Sequence, residues 1–139
     1  MTIDYPTRAQ ELKVLKTHRH RQSPPSAVVD AERVQQAAQL VEEVHASEEM
    51  MEYVLSLVRH TREDDDVILG GSPRASLALL RAAQARALIR GRGYVVPDDV
   101  RELTPSVLGH RILLHPDADL AGIRNEDVVE RAIRSVRYG

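Results

Sequence analysis

No cysteine occurs among the 139 residues. That absence excludes disulfides, thiolate metal sites and thiol catalysis together, and it fits a reducing cytoplasm, the expected location. Tryptophan and phenylalanine are also missing, and only four tyrosines are present. Aromatic platforms for stacking single-stranded nucleic acid are therefore scarce. The formal charge is only −2, from 19 basic and 21 acidic residues scattered along the chain. A dedicated nucleic-acid binder is usually more basic, so no nucleic-acid partner is expected. No apolar run approaches the ~18 residues of a membrane span. No basic stretch followed by an apolar core marks a secretory signal. Neither a G-x-x-x-x-G-K-[ST] phosphate loop nor an apolar strand ending in paired acids can be found.

What remains is a core built from Leu, Val, Ile and Ala, which points to packed helices. The length suits one domain, and a chain this long buries ~65–70% of the surface it exposes when unfolded. Six helical segments can be read. Thr7 and Gln10 form a capping box ahead of a helix carrying Leu12, Val14 and Leu15 and ending near His18. A Ser23-Pro24-Pro25-Ser26 linker follows. After Asp30, residues Val34, Ala37, Ala38, Val41 and Val44 form an i, i+3, i+4, i+7 stripe. Ser47 caps a third helix with Met50, Tyr53, Val54, Leu57 and Val58 on one face. The fourth runs from Pro73 to about Arg90, with Leu77, Leu80, Leu88 and Ile89 as its expected core residues. The fifth opens at Pro97-Asp98-Asp99 and restarts at Thr104-Pro105; the last is capped by Asn125 and carries Val128, Val129, Ala132, Ile133 and Val136. Arg111–Leu114 and Tyr94–Val96 are the candidate halves of a minimal two-stranded ribbon, stable only when packed on helices. The predicted fold is an all-α helical bundle.

Most polar clusters read as ordinary surface. His18 and His20 lie in a basic, Pro-flanked segment without further metal ligands. Asp64-Asp65-Asp66 lacks the glycine turn and distal glutamate of a calcium loop and reads as a solvated connection. His110 and His115 flank an apolar pentad, where one of them can cap a helix or bond a carbonyl.

The stretch Gly70-Gly71-Ser72-Pro73-Arg74-Ala75-Ser76 is different. Ser72 suits an N-cap, and Pro73 falls at the first helical position, where its missing N–H is harmless. Arg74 then faces the positive end of the helix dipole, which is unfavourable by roughly 0.3–1 kcal/mol. An anion at that end reverses the sign, because free N–H groups and guanidinium would act together. Local chemistry alone leaves two outcomes: a solvated arginine, or an arginine on a phosphate. Arg81, seven residues on, shares the Arg74 face and is a candidate to extend an anion site or to pair with acids of a neighbouring subunit.

The order of motifs carries more than any one of them. Gly70–Ser76, the Leu77–Arg90 helix, the run Arg92-Gly93-Tyr94-Val95-Val96-Pro97-Asp98-Asp99-Val100 and Val107-Leu108-Gly109-His110-Arg111 together resemble the C-terminal lid of MoxR-type AAA+ ATPases. Tyr5-Pro6-Thr7-Arg8 resembles the segment where that family's ATPase core passes into its lid, so the likeness runs from about Tyr5 to Val136. It implies one lid domain over residues 1–139, with 1–29 as a helix and linker leading from the core and 30–139 as the bundle. It also implies that Arg74 is the sensor 2 arginine reaching the γ-phosphate of ATP, with Ser72 and Pro73 on the phosphate side. ATP and Mg²⁺ would belong to an intact protein whose core lies N-terminal to this segment. Without that core the chain is expected not to hydrolyse ATP. Partners implied are that core, neighbouring subunits of a ring, expected to be a hexamer, and proteins with von Willebrand factor A domains. Two departures stand out. Gly71 occupies a place where alanine is commoner, an expected harmless change, and Val96 precedes Pro97 where a hydroxyl cap is usual.

The residues admit two other readings. Pro97–Arg111 can be read as a helix–turn–helix with the ribbon as its wing, giving a small nucleic-acid-binding regulator. A protein-interaction bundle, with Arg74 held in an intramolecular salt bridge, is the other.

Overall fold

A computed structural model describes residues 5–17 and 26–139. His18, His20 and most of the Ser23–Ser26 linker lie outside the described residues. The chain divides into two compact units, Met1–Ala31 and Glu32–Gly139.

In the first unit, α1 spans Arg8–Thr17. Its start is the expected capping box: the Thr7 N–H donates to Gln10 Oε1 at 2.7 Å, and the Gln10 N–H donates to Thr7 Oγ1 at 3.4 Å. No residue of α1 is buried.

The rest is helical, with a small ribbon. It comprises α2 (Ala31–Glu42), α3 (Glu48–His60), β1 (Val67–Leu69), α4 (Pro73–Ile89), α5 (Pro97–Leu108), a 3-10 turn (Gly109–Arg111), β2 (Leu113–Leu114), α6 (Pro116–Leu120) and α7 (Asn125–Ser135). Seven α-helices are thus found among the described residues, one more than the sequence indicates; the five-residue α6 is too short to show a periodic stripe. Ser47 caps α3 as expected, accepting from the Met50 N–H at 3.1 Å. The predicted α3 stripe of Met50, Tyr53, Val54, Leu57 and Val58 is buried throughout.

One core cluster gathers α3 residues Met50, Tyr53, Val54 and Leu57 with Leu79, Ala83 and Ala87 of α4, Val100 of α5 and Ala132 of α7. A second joins Val58, Val67, Ala75, Leu108, Ile112, Val128 and Val129. The buried face of α4 is Ala75, Leu79, Ala83 and Ala87, one residue per turn. Three alanines there let α5 approach closely. Leu77 (59% exposed) and Ile89 (85% exposed), expected in the core, lie on the outside instead, with Leu80 and Leu88 partly buried. A helix apolar on every side leaves the phase of its buried stripe undecided, and small residues won the contact. Of the stripe expected after Asp30, only Val44, beyond the end of α2, is buried in the first core cluster; within α2 no residue is buried and Val34 is 57% exposed.

The ribbon exists, but with a different partner. β2 pairs antiparallel with β1, Val67 opposite Leu114 and Leu69 opposite Leu113. Tyr94 instead forms an isolated parallel bridge with His45, tying the loop after α4 to the start of α3. α5 is also continuous through Pro105, where a break was expected. Pro105 removes one N–H, and the buried Thr104 hydroxyl donates to the Val100 carbonyl beside it at 2.7 Å. The helix–turn–helix reading thereby loses both its turn and its wing.

Two polar joints fix the helices. Asp99, 2% exposed, accepts from both Nη atoms of Arg92 at 2.7 Å and from the Val96 N–H at 3.1 Å, with Arg86 at 3.3 Å. That third bond is the half of a capping box that the residue at the third helical position supplies; Val96 has no side-chain oxygen to supply the other half. Asp64 and Asp66, expected in solvent, both accept from Arg131 of α7, at 2.8–2.9 Å and 2.7 Å respectively. Asn125 is the first residue of α7 and not its cap; the preceding Arg124 N–H donates to Asp127 Oδ2 at 2.8 Å. The Asn125 amide reaches back to the carbonyls of Gly109 and Ile112, at 2.8 and 3.1 Å. His110 Nδ1 lies 3.1 Å from the Ser106 carbonyl, while His115 precedes α6 without a side-chain cap bond.

Candidate functional site

The start of α4 is built by the end of α3. Thr61, fully buried, donates its hydroxyl to the Val58 carbonyl at 2.7 Å and accepts from the Gly71 N–H at 2.9 Å. The next residue, Arg62, donates through Nε to the Gly71 carbonyl at 2.5 Å. Both polar groups of Gly71 are thus held by adjacent residues ten and nine positions earlier. Gly70 makes this approach possible, since a Cβ there would stand 2.5 Å from the Thr61 carbonyl oxygen and 2.7 Å from the Arg62 nitrogen. Backbone cannot yield as a flexible side chain can, so glycine is required. At Gly71 a Cβ would meet Val58 Cγ1 at 2.8 Å. Val58 fills the space that an alanine side chain would take, so in this chain glycine is the residue that fits here.

From this anchored peptide the chain enters α4. Ser72 holds the N-cap position with extended backbone (φ −79°, ψ 168°), but its hydroxyl makes no capping bond. Its carbonyl accepts from the Ala75 N–H at 2.8 Å, a tight first turn. Pro73 is the first helical residue. Arg74 follows, exposed, and its side chain makes no hydrogen bond or ion pair with the described residues. The interaction-bundle reading needed this side chain in an internal salt bridge.

The first turns of the other helices make α4 unusual. Acids occupy them in α1 (Glu11), α2 (Glu32), α3 (Glu48, Glu49), α5 (Asp98, Asp99), α6 (Asp117, Asp119) and α7 (Glu126, Asp127). Only α4, among the described helices, has none. Negative charge is what a helix N-terminus favours, and here a guanidinium stands in its place.

Ser72, Pro73 and Arg74 therefore come together at one helix end. Arg81 does not join them: seven residues on is roughly 10 Å along the axis. It is exposed and lines a shallow groove with Ala38, Val41, Glu42 and Gln84. Gln84 holds one wall of that groove by donating to the Val44 carbonyl at 2.8 Å. Thr61 and Arg62 went unnoticed in sequence, where nothing in a Thr-Arg pair announces contact with a glycine ten residues away.

Asp64 and Asp66, between α3 and α4, are committed to Arg131. Burial pushes the Asp64 carboxyl up, but hydrogen bonds from Arg131 and the Asp66 backbone, with the charges of Arg131 and His60, outweigh it and leave the group below its ordinary value. No group of three or more metal-ligating side chains occurs among the described residues.

Comparison with known proteins gives the context. The family described as the AAA lid domain matches residues 59–132, which contain the α3–α4 junction, Arg74 and most of α7. The chain belongs to the AAA lid domain family. This lid is 38% identical over 141 residues to the uncharacterized protein YeaC of Bacillus subtilis, covering 99% of the lid chain and 43% of that protein. It is 35% identical over 150 residues to the chaperone MoxR1 of Mycobacterium tuberculosis, covering 98% and 38% respectively. A crystal structure of an inferred ATPase from Cytophaga hutchinsonii superposes with a TM-score of 0.81 at 27% identity, over 99% of the lid and 45% of that chain. The lid is of the MoxR type, and it spans about two-fifths of the length of these relatives. Among its described residues, no helix is long and apolar enough to cross a membrane.

Proposed function

We propose that this lid works within a longer MoxR-type AAA+ ATPase, where Arg74 is the sensor 2 arginine. ATP, and the Mg²⁺ that accompanies it, are held by the core; the lid contributes one guanidinium and the N-terminal end of α4. Arg74 bonds a γ-phosphate oxygen and stabilises the charge that develops there during transfer to water. The N-terminus of α4, flanked by Ser72 and Pro73, adds its partial positive charge to the same anion. ATP therefore draws the lid toward the core, and loss of the γ-phosphate releases it. In a cytoplasmic ring, a hexamer in this reading, that motion passes between subunits as a rigid-body shift. It would serve a chaperone-like maturation of partner proteins, including ones with von Willebrand factor A domains. Arg81, beside Glu42, is placed to meet acids of a neighbouring subunit and not the nucleotide.

The observation that carries this reading is the unpaired Arg74 in an acid-free first turn, on a helix start anchored from behind. The experiment is ATP hydrolysis and nucleotide binding by the ATPase carrying this lid, as wild type and as Arg74→Ala. Removing one preorganised donor to developing charge costs on the order of 10²-fold in kcat. Unchanged hydrolysis and unchanged nucleotide affinity would end the sensor assignment. The 139-residue chain alone should show no measurable ATP binding by calorimetry, since one arginine and a helix end do not replace a phosphate loop.

A further inference from the structure

We infer that Thr61 and Arg62 are the positioning residues of Arg74, and that they make α3 and the start of α4 move as one body. The inference rests on the sensor reading of Arg74 and extends it to groups that never touch the nucleotide.

An arginine on a solvent-exposed first turn is useful against phosphate only if its backbone is held to a fraction of an ångström. A helix end normally frays. Here the usual device is missing, because the Ser72 hydroxyl makes no cap bond and no acid stabilises the first turn. The clamp behind it replaces that device. The Gly71 N–H is taken by the buried Thr61 hydroxyl and the Gly71 carbonyl by Arg62 Nε, so this residue cannot rotate without breaking both bonds. Gly70 lies against the backbone of Thr61 and Arg62, which blocks movement toward α3. Ala75, one residue beyond Arg74, is fully buried in the second core cluster with Val58. Arg74 thus sits between a clamped peptide on one side and a core anchor on the other, leaving its side chain as the main free element.

The hydroxyl of Thr61 has both its roles filled, donating to Val58 and accepting from Gly71. Valine has the same shape and neither role, and it leaves a buried N–H without a partner. Serine keeps both. Arg62 acts from the surface, so its replacement tests the same clamp with little risk to folding.

The test is a double-mutant cycle in the ATPase carrying this lid, with amide exchange of the 139-residue chain as its local readout. Thr61→Val should lower kcat about tenfold with KM for ATP unchanged, as expected for a misplaced group that acts late in the reaction. Arg62→Gln should show a smaller loss of the same kind. Thr61→Ser should restore kcat, which a general loss of packing would not predict. In an Arg74→Ala background Thr61→Val should have no further effect on kcat, because its influence passes through Arg74. Amide exchange at Gly71 should accelerate in Thr61→Val and return to the wild-type rate in Thr61→Ser. If Arg74→Ala lowers kcat but Thr61→Val multiplies with it or does nothing, the positioning inference is wrong while the sensor reading stands. If Arg74→Ala is silent, the sensor reading fails and the inference with it. A Gly71 amide equally protected in Thr61→Val would overturn the clamp itself.

Discussion

Alanine at position 71 offers a sharp test of how the α3–α4 junction is packed. A Cβ placed on Gly71 stands 2.8 Å from Val58 Cγ1, roughly 1 Å inside normal carbon contact, while Thr61 Oγ1 and the Ala75 Cβ lie at ordinary distances of 3.5 and 3.6 Å. Val58 is fully buried and cannot turn into solvent, so overpacking of about 1–3 kcal/mol is expected. Against this, alanine stiffens the unfolded chain and returns about 0.4–1 kcal/mol, because Gly71 is not among the glycines with positive φ. Gly71→Ala should therefore destabilise by about 1 kcal/mol. Val58→Ala alone removes two buried methyl groups and leaves a cavity, for about 2–3 kcal/mol. In the double variant the new methyl occupies the space vacated by Val58, so the total should fall about 1–2 kcal/mol below the sum of the single effects. Urea denaturation of the chain, with an unchanged m-value, measures all three. Additivity to within ~0.5 kcal/mol, or a stabilising Gly71→Ala, would show that Val58 does not fill the space the geometry gives it.

The joint at Asp99 and the acid response of the chain supply the other tests. Asp99→Ala leaves Arg92 and Arg86 facing an empty buried position and uncaps α5; it should destabilise by about 2–3 kcal/mol, somewhat less than for a fully buried pair because both arginines keep some contact with water. Thermal or urea unfolding reads this directly, and a loss below ~0.5 kcal/mol would refute it. Burial raises the Asp99 carboxyl, but Arg92, the Val96 amide and the charge of Arg86 bring it below the ordinary 3.8, as happens at Asp64. Depressed carboxylates contribute stability that is complete above that value and is lost as pH falls through their folded values. The urea midpoint should hold steady down to about pH 5 and fall below about pH 4. Asp64→Asn should be less stable at pH 7 and show a shallower acid decline; an equally steep decline would remove Asp64 from the account.

The same physics explains which parts of the fold were readable. α3 and α7 carry one apolar face against a polar one, so period alone named their buried residues, Met50 through Val58 and Val128 through Ala132. α4 is apolar nearly all round, and only tertiary contact chose Ala75, Leu79, Ala83 and Ala87 over Leu77 and Ile89. The stripe from Val34 to Val44 was equally clear, yet only Val44 is buried and the part within α2 is not, because periodicity reports amphipathicity and not which surface meets it. Val67-Ile68-Leu69 was hidden behind the acidic run, and runs of two or three apolar residues carry no information about pairing. Asn125 reads as a cap by type; its bonds to Gly109 and Ile112 depend on residues 13 to 16 positions away. At the site itself, Arg74 was legible because its oddity is local, a cation in a first turn. Thr61 and Arg62 were not, since their meaning lies in the fold that brings Gly71 to them.

That division also bears on why the start of α4 is so poor by local standards. A serine cap bond is worth about 1 kcal/mol and an acid in the first turn about 0.3–1 kcal/mol. The α4 start has neither, and the arginine there acts in the wrong direction. Six of the seven described helices follow the charge rule, so composition offers no reason for the seventh to break it. The helix nonetheless begins at Pro73, held by a buried hydroxyl, a guanidinium and two close-packed glycines. Stabilisation has been moved from the front of the helix to its back, leaving the front free of anions that belong to the chain itself. Breaches of local consistency that are compensated elsewhere tend to mark functional sites. An acid placed here would improve the isolated helix and would also repel a phosphate. Its absence, beside an unpaired Arg74, is what the proposed contact with a phosphate from outside the lid requires.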